Sequence, residues 1–327
     1  MTIYDIAKEA GCSASTVSRV INNKPGIRRE TRERVRELLE KYNYTPDIAA
    51  RGLVKQSSGL IGILIEDLRV LHHLESAFII EREMMKLGYC CIIMPTGFSS
   101  ETQEEYIRVL EQRRAEGAVL VGSMFMTETV KAYVEKYLPK IPVVIVNGYL
   151  DLPNVTGIIA DEREGIGKTV DLLYSKGKRN IAFALDGPTV SNLSKQEGYL
   201  DGMRKYGLEP RLFESKGKTQ KEGEQITREI LSAMPDTDAI IYSVDLTAVG
   251  GIHAAVQEGY RVPEDLSIVG VDNSIYCDIA RPRLTSLNNK VEESSETAAA
   301  VLIEGIRKKP VHRKIILFTD IVERETT

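Results

Sequence analysis

From Leu60 onward the chain repeats one pattern, a short apolar run followed by a stretch whose apolar residues fall at helical spacing. The runs are Leu60 to Ile65, Tyr89 to Met94, Ala118 to Val121, Pro142 to Val146, Ile181 to Leu185, Ala239 to Tyr242 and Ser267 to Val271. Helical stretches such as Leu74 to Leu87 and Glu101 to Arg114 separate most of them. A parallel strand pair needs a crossover, usually a helix, so this alternation dictates parallel sheets with helices on both faces. So many strands exceed one ordinary sheet, and the turn-rich stretch Asn147 to Gly157 is the candidate break between two doubly wound lobes. With 327 residues and 43% hydrophobic content, the chain has apolar material for two or three domains.

The first 59 residues follow a different rule. Ile3, Ile6, Ala7 and Ala10 form one apolar helical stripe, and Gly11 ends it as a left-handed residue would. Ser13 then caps a second helix with Val17, Val20 and Ile21 inward and Ala14, Ser15, Ser18, Arg19 and Asn22 outward. Short donors and acceptors plus one Arg are what a recognition helix needs to lie close in a major groove. A hairpin that merely packs on a neighbour is the bland alternative for the two helices alone. A third helix runs from about Glu30 to Tyr42 with Val35, Leu38 and Leu39 inward, and Arg28 stands where a capping Ser would serve. Pro46 breaks it, and Asp47 to Gly59 has the composition of a tether. The net charge of -4 divides unevenly: residues 1 to 58 hold 11 Lys/Arg against 7 Asp/Glu, and the remainder 32 against 40. The excess of basic charge thus sits where phosphate contacts would use it.

Several classes are disfavoured. No apolar run approaches a membrane span and the N-terminus is polar, so no membrane association and a cytoplasmic location are expected. Neither G-x-G-x-x-G after the first strand nor G-x-x-x-x-G-K-[ST] is present, so no nucleotide cofactor and no catalysis are expected. Cys12, Cys90, Cys91 and Cys277 have no metal-ligand spacing and read as free, buried thiols. Adjacent His72 and His73 diverge in either regular structure, which argues against a shared metal.

Thr2-Ile3-Tyr4-Asp5-Ile6-Ala7, Ser15-Thr16-Val17-Ser18-Arg19-Val20-Ile21-Asn22, Thr31-Arg32-Glu33-Arg34-Val35, Tyr44-Thr45-Pro46 and Ala49-Ala50-Arg51 occur in order, and Val262 to Asn273 followed by Pro282-Arg283-Leu284-Thr285-Ser286 comes late in the chain. Together they closely resemble the lactose-repressor (LacI/GalR) family of bacterial transcription regulators over the whole length. The resemblance implies an all-α helix-turn-helix domain at 1 to 45 and a hinge helix and linker at 46 to 59. It further implies a periplasmic-binding-protein-like effector and dimerisation domain at 60 to 327, made of two doubly wound parallel-sheet subdomains. The chain would cross between them near 158, 288 and 310: about 60 to 157 plus 288 to 309 in one, 158 to 287 plus 310 to 327 in the other. DNA contact is thereby carried to Thr2, Tyr4, Ala14, Ser15, Ser18, Arg19 and Asn22, and in the hinge to Ala50 and to Leu53, a minor-groove wedge. Gly52 replaces a more usual Ser. The implied partners are a pseudo-palindromic double-stranded operator, a second copy of the chain and a small-molecule effector.

The effector would lie at the carboxyl ends of the strands, between the lobes. The resemblance places Asp272 and Lys195 there, the latter in place of a more common Arg whose planar fork is lost. Ser123 follows a strand. Asp245 also ends one, with the N-cap of the helix at 246 to 258 as its alternative role. Tyr199 is a packing residue in the bland reading. His72 and His73 replace the stacking residues of relatives, Val244 a frequent Asn, and Ala160 a common Asp. The expected function is a regulator, as a repressor, answering to a sugar or sugar derivative. Alternatives are a nucleobase-like or other polar metabolite acting as corepressor, and a periplasmic-type solute-binding protein, which leaves the helix-turn-helix unexplained.

Overall fold

The computed structural model describes residues 1–21, 23–44 and 58–327, and the chain divides into two compact units, Met1–Ser58 and Gly59–Thr327. Asn22 and the expected hinge with Ala50, Gly52 and Leu53 lie outside the described residues.

In the first unit, α1 (Ile3–Glu9), α2 (Ala14–Ile21) and α3 (Arg29–Lys41) close on Ile6, Ala7, Ala10, Val17, Val20 and Val35. Thr2 caps α1 in a reciprocal box with Asp5, Gly11 takes φ +63°, and Ser13 Oγ accepts the Thr16 amide at 3.2 Å. As its sequence led one to expect, α3 starts without a side-chain cap at Arg28.

The second unit carries two six-stranded sheets. The first has the order β11-β5-β4-β3-β1-β2, built from β1 (Leu60–Ile65), β2 (Cys90–Pro95), β3 (Gly117–Val121), β4 (Val143–Val146), β5 (Val155–Ala160) and β11 (Lys314–Leu317). The second runs β12-β10-β9-β8-β6-β7, from β6 (Ile181–Leu185), β7 (Arg211–Glu214), β8 (Ala239–Tyr242), β9 (Ser267–Val271), β10 (Thr285–Asn288) and β12 (Asp320–Val322). Pairing is parallel except for β12 on β10. Ile61, Ile63, Ile80, Val119, Leu302 and Ile303 fill one layer of the first lobe, and Phe183, Tyr199, Ile241 and Val269 one layer of the second.

All seven expected strands form; β5, β7, β10 and β12 were not legible as apolar runs, and the short apolar run of β11 was passed over. β5 is interrupted by Thr156 and Gly157, β7 has only Leu212 and Phe213 between two charged residues, and β10 is Thr-Ser-Leu-Asn. Two expected crossings therefore move. Residues 155 to 160 pair with β4, so the first crossing falls at Asp161 rather than at 158 or within Asn147 to Gly157. Lys314–Leu317 pairs with β5 in the first sheet, so the last falls between Leu317 and Asp320 rather than near 310. The middle one passes through Asn289 before α12 (Val291–Ile306), whose apolar face packs in the first lobe. The thiols are free as expected, but only Cys277 is buried; Cys90 is exposed on edge strand β2, and Cys12 and Cys91 are half-buried. Among the described residues no helix is long and apolar enough to cross a membrane.

Candidate functional site

Two surfaces carry chemistry. On the first unit, α2 presents Ser15 and Arg19 exposed, with Ala14 and Ser18 half-buried between them, and Tyr4 is 74% exposed on α1. Ser13 Oγ lies 2.7 Å from Ser15 Oγ and 2.9 Å from Thr16 Oγ1, which pins the N-terminal hydroxyls of α2. Arg19 donates through Nη2 to the carbonyl of Pro25 at 2.9 Å, so its guanidinium is held over the turn after α2 with further donors available. Thr2, by contrast, spends its hydroxyl on the α1 capping box.

In the second unit the lobes face each other with the carboxyl ends of their strands, as open parallel sheets bind ligands. Glu66 follows β1, Ser123 follows β3 and Asn147 follows β4; opposite them Asp186 follows β6, Val244 follows β8 and Asp272 follows β9. Asn147 (φ +55°), Asp272 (φ +108°) and Asn273 (φ +52°) sit in left-handed backbone, a conformation that clusters at sites where geometry outranks local stability. These groups line an inner chamber of about 80 Å³ that adjoins an outer one of about 700 Å³ lined by Leu71, Phe98, Pro188, Leu246 and Tyr276 among others.

Four contacts close the lobes on each other. His72 Nδ1 lies 3.2 Å from Asp272 Oδ2, Lys218 Nζ 3.2 Å from Glu66 Oε2, Asn147 Nδ2 donates to Glu162 Oε1 at 3.4 Å, and the Ser191 amide donates to Ser123 Oγ at 3.1 Å. At the floor Lys195 Nζ, 4% exposed, meets Glu162 Oε1 at 3.3 Å and the carbonyl of Ser243 at 3.3 Å. Burial works against the Lys195 charge, but Glu162, Asp272 and Asp186 outweigh it and hold the ammonium above its ordinary value. Burial likewise opposes the charge of His72, yet the Asp272 carboxylate raises it; Asp272, whose burial pushes the other way, is lowered by His72. His73 has no such partner, and burial with His72 beside it keeps its ring neutral, well below the ordinary range.

The sequence-derived residues are thus brought together: His72, His73, Ser123, Lys195 and Asp272 line the inner chamber. Two expectations need correction. The histidines stand in the first turn of α4 (Leu71–Lys86), which starts three residues before the expected Leu74. Gly122, at φ +118°, lets His73 close in, since a Cβ there would lie 3.1 Å from Nε2. Asp245 is not a helix cap: Val244 holds that position without a side-chain bond. Nor does Asp245 reach the inner chamber. It is buried beside the outer one, accepting from the Ser274 amide (2.7 Å), Ser274 Oγ (2.8 Å) and Ser286 Oγ (2.6 Å). Tyr199 packs, donating to the Ile181 carbonyl at 2.7 Å.

Glu66, Asn147, Glu162, Asp186, Lys218 and Asn289 were missed. Glu66 and Asp186 had a signal, a carboxylate directly after a recognised strand. Glu162 and Asn289 follow β5 and β10, strands whose composition hides them.

A helix-turn-helix unit followed by a two-lobed domain with a polar interlobe chamber defines a class, DNA-binding regulators built on a periplasmic-binding-protein-like frame. Residues 2–47 match the model of the bacterial regulatory proteins of the lacI family, and residues 170–327 that of the periplasmic binding protein-like domain. The ribose operon repressor of Halalkalibacterium halodurans is 30% identical over 330 residues, covering 100% of this chain and 97% of its own. Catabolite control protein A of Priestia megaterium is 27% identical, covering 100% and 99%. The lac repressor dimer, solved bound to operator and the anti-inducer ONPF, superposes with a TM-score of 0.92 at 25% identity over 100% of this chain and 98% of that one. The chain belongs to the lacI family of bacterial regulatory proteins and is a DNA-binding transcriptional regulator. Its relatives are regulators rather than enzymes.

Proposed function

We propose that this protein is a cytoplasmic repressor that binds a pseudo-palindromic operator as a homodimer and answers to a small polyhydroxylated effector held between its lobes. The carrying observation is the inner chamber, where buried hydrogen-bonding groups from both lobes converge at strand ends. Among the described residues its lining is mostly side chains that donate or accept hydrogen bonds, so it offers a ring of hydroxyls many partners. Ligand that binds only the closed arrangement shifts the lobes toward it by its differential affinity, and that shift is what would reach the DNA unit.

The test is fluorescence anisotropy on a duplex selected from a random library, with and without metabolites that raise the melting temperature. Effector-dependent change in affinity for the selected duplex supports the reading, and its sign separates induction from corepression. Arg19→Ala should cost about 1 to 3 kcal/mol on that duplex and much less on a scrambled one. Equal losses would make Arg19 a phosphate contact.

For the homodimer, Leu74, Phe78 and Met85 form an exposed apolar stripe on α4, 42%, 61% and 60% accessible, which water alone does not favour. Phe78→Glu should convert a dimer into a monomer in sedimentation at micromolar concentration. A variant that sediments like the parent would move the interface elsewhere.

A further inference from the structure

The inner chamber is short of positive charge. Four carboxylates from four segments line it, Glu66, Glu162, Asp186 and Asp272, against two ammonium groups, Lys195 and Lys218. Both lysines are already spent, Lys218 on Glu66 and Asp186 (3.2 and 3.7 Å) and Lys195 on Glu162. The remaining cation is the His72 imidazole, which reaches across the cleft to Asp272. His73 contributes none.

His73 and Asn289, which line the same chamber and are 3% and 9% exposed, each carry a buried atom with no hydrogen-bond partner among the described residues, His73 Nδ1 and Asn289 Oδ1. The Asn289 amide cannot be turned round. Its Nδ2 donates to Glu162 Oε1 and to Asp272 Oδ1, each at 3.1 Å, and a flip would set an oxygen against two carboxylates. Its Oδ1 is therefore an acceptor, placed beside those two carboxylates, and the neutral His73 ring offers another. Acceptors of this kind, unpaired and buried, ask for a donor.

A hydroxyl supplies one proton to such a set, whereas an ammonium supplies three and the missing charge as well. An anionic ligand would meet like charge on several sides, and burying it there would be costly. We infer that the effector is a polyhydroxylated amine, a sugar or cyclitol carrying a protonated amino group, with the ammonium held by Asp272, Glu162 and Asn289 Oδ1 and its hydroxyls by His73, Ser123 and Asn147. His72 on Asp272 is then the chain's own substitute for that cation. The inference rests on reading the cleft as the effector site.

The experiment uses the full chain and calorimetric titration at pH 7 with matched sets in the gluco, galacto and manno series, each as 2-amino sugar, parent sugar and uronic acid. In at least one set the amine should bind about tenfold or more tightly than its parent, and the acid not measurably. Glu162→Gln and Asp272→Asn should each bring the amine and its parent to within about threefold of one another. A parent that binds as tightly as its amine, or a panel in which no amine binds, overturns the inference. The wild-type panel gives that answer even where a variant fails to fold. His73→Ala and Asn289→Ala separate the two readings. A neutral sugar weakened by both sinks the charge class and leaves the cleft intact, whereas an amine weakened by neither shows that the cleft reading itself has failed.

Discussion

Lys195→Met is expected to lower stability in urea at pH 7 by about 3 to 5 kcal/mol, the loss typical of removing one partner of a buried ion pair. Lys195 and Glu162 are 4% and 2% exposed, and Glu162 Oε1 also accepts from Ser191 Oγ at 2.8 Å and from Asn289 at 3.1 Å. Taking away the ammonium leaves those neutral donors to hold a carboxylate that is largely stripped of water. The native lysine is raised above its ordinary 10.5, so its contribution is complete below that value and fades only as pH climbs through the folded value. Physiological pH therefore sees all of it. The variant should regain stability on acidification, and Lys195→Met with Glu162→Met should recover most of the loss, because both charges are then gone. A single variant that loses under about 1 kcal/mol would mean that the floor of the cleft is hydrated in solution.

The second large effect concerns Asp245, which burial first and Asp272 second raise from 3.8 to about 7, against the hydrogen bonds from Ser286 and Ser274. An acid raised on folding holds its proton more tightly in the native state. It therefore favours folding below its unfolded value, and that advantage drains away as pH rises from about 4 to about 7. Above that range wild type should carry a cost on the order of 4 kcal/mol at 1.36 kcal/mol per pKa unit. Asp245→Asn keeps the shape: its carbonyl accepts from Ser274 and its amide donates to Ser286 Oγ, with no charge to titrate. The variant should match wild type near pH 4 and exceed it by that margin at pH 8, measured as urea midpoints. Parallel pH curves for the two proteins would show that Asp245 is not the titrating group. The same carboxylate explains a glycine, because a Cβ at Gly270 would lie 2.3 Å from Asp245 Oδ1.

What these residues do was only partly legible beforehand. Lys195, Asp272, Ser123 and the two histidines were placed by the family resemblance, and the chamber gathers all five. Asp245 shows why position alone misleads. It follows a strand at three residues' distance and opens a helix, and its neighbours Ser274 and Ser286, remote in sequence, absorb both its oxygens.

The sequence by itself determined the secondary structure wherever periodicity was unbroken. The apolar stripes of α1, α2 and α3, the glycine at the turn, and the long apolar runs of β1, β3, β6, β8 and β9 report burial on one face or on both, and burial is encoded locally by residue type. Only the tertiary structure decided the rest. Strands β5 and β10 carry polar residues or glycine that conceal them, and with them Glu162 and Asn289, while β11 takes its place from pairing with β5 far back along the chain. The charge balance of the cleft is likewise invisible in a linear count, because Glu66, Glu162, Asp186 and Asp272 stand on separate segments and meet only when two lobes close. Burial in a shared, low-dielectric chamber is what turns scattered carboxylates into one electrostatic site, and no local pattern records it.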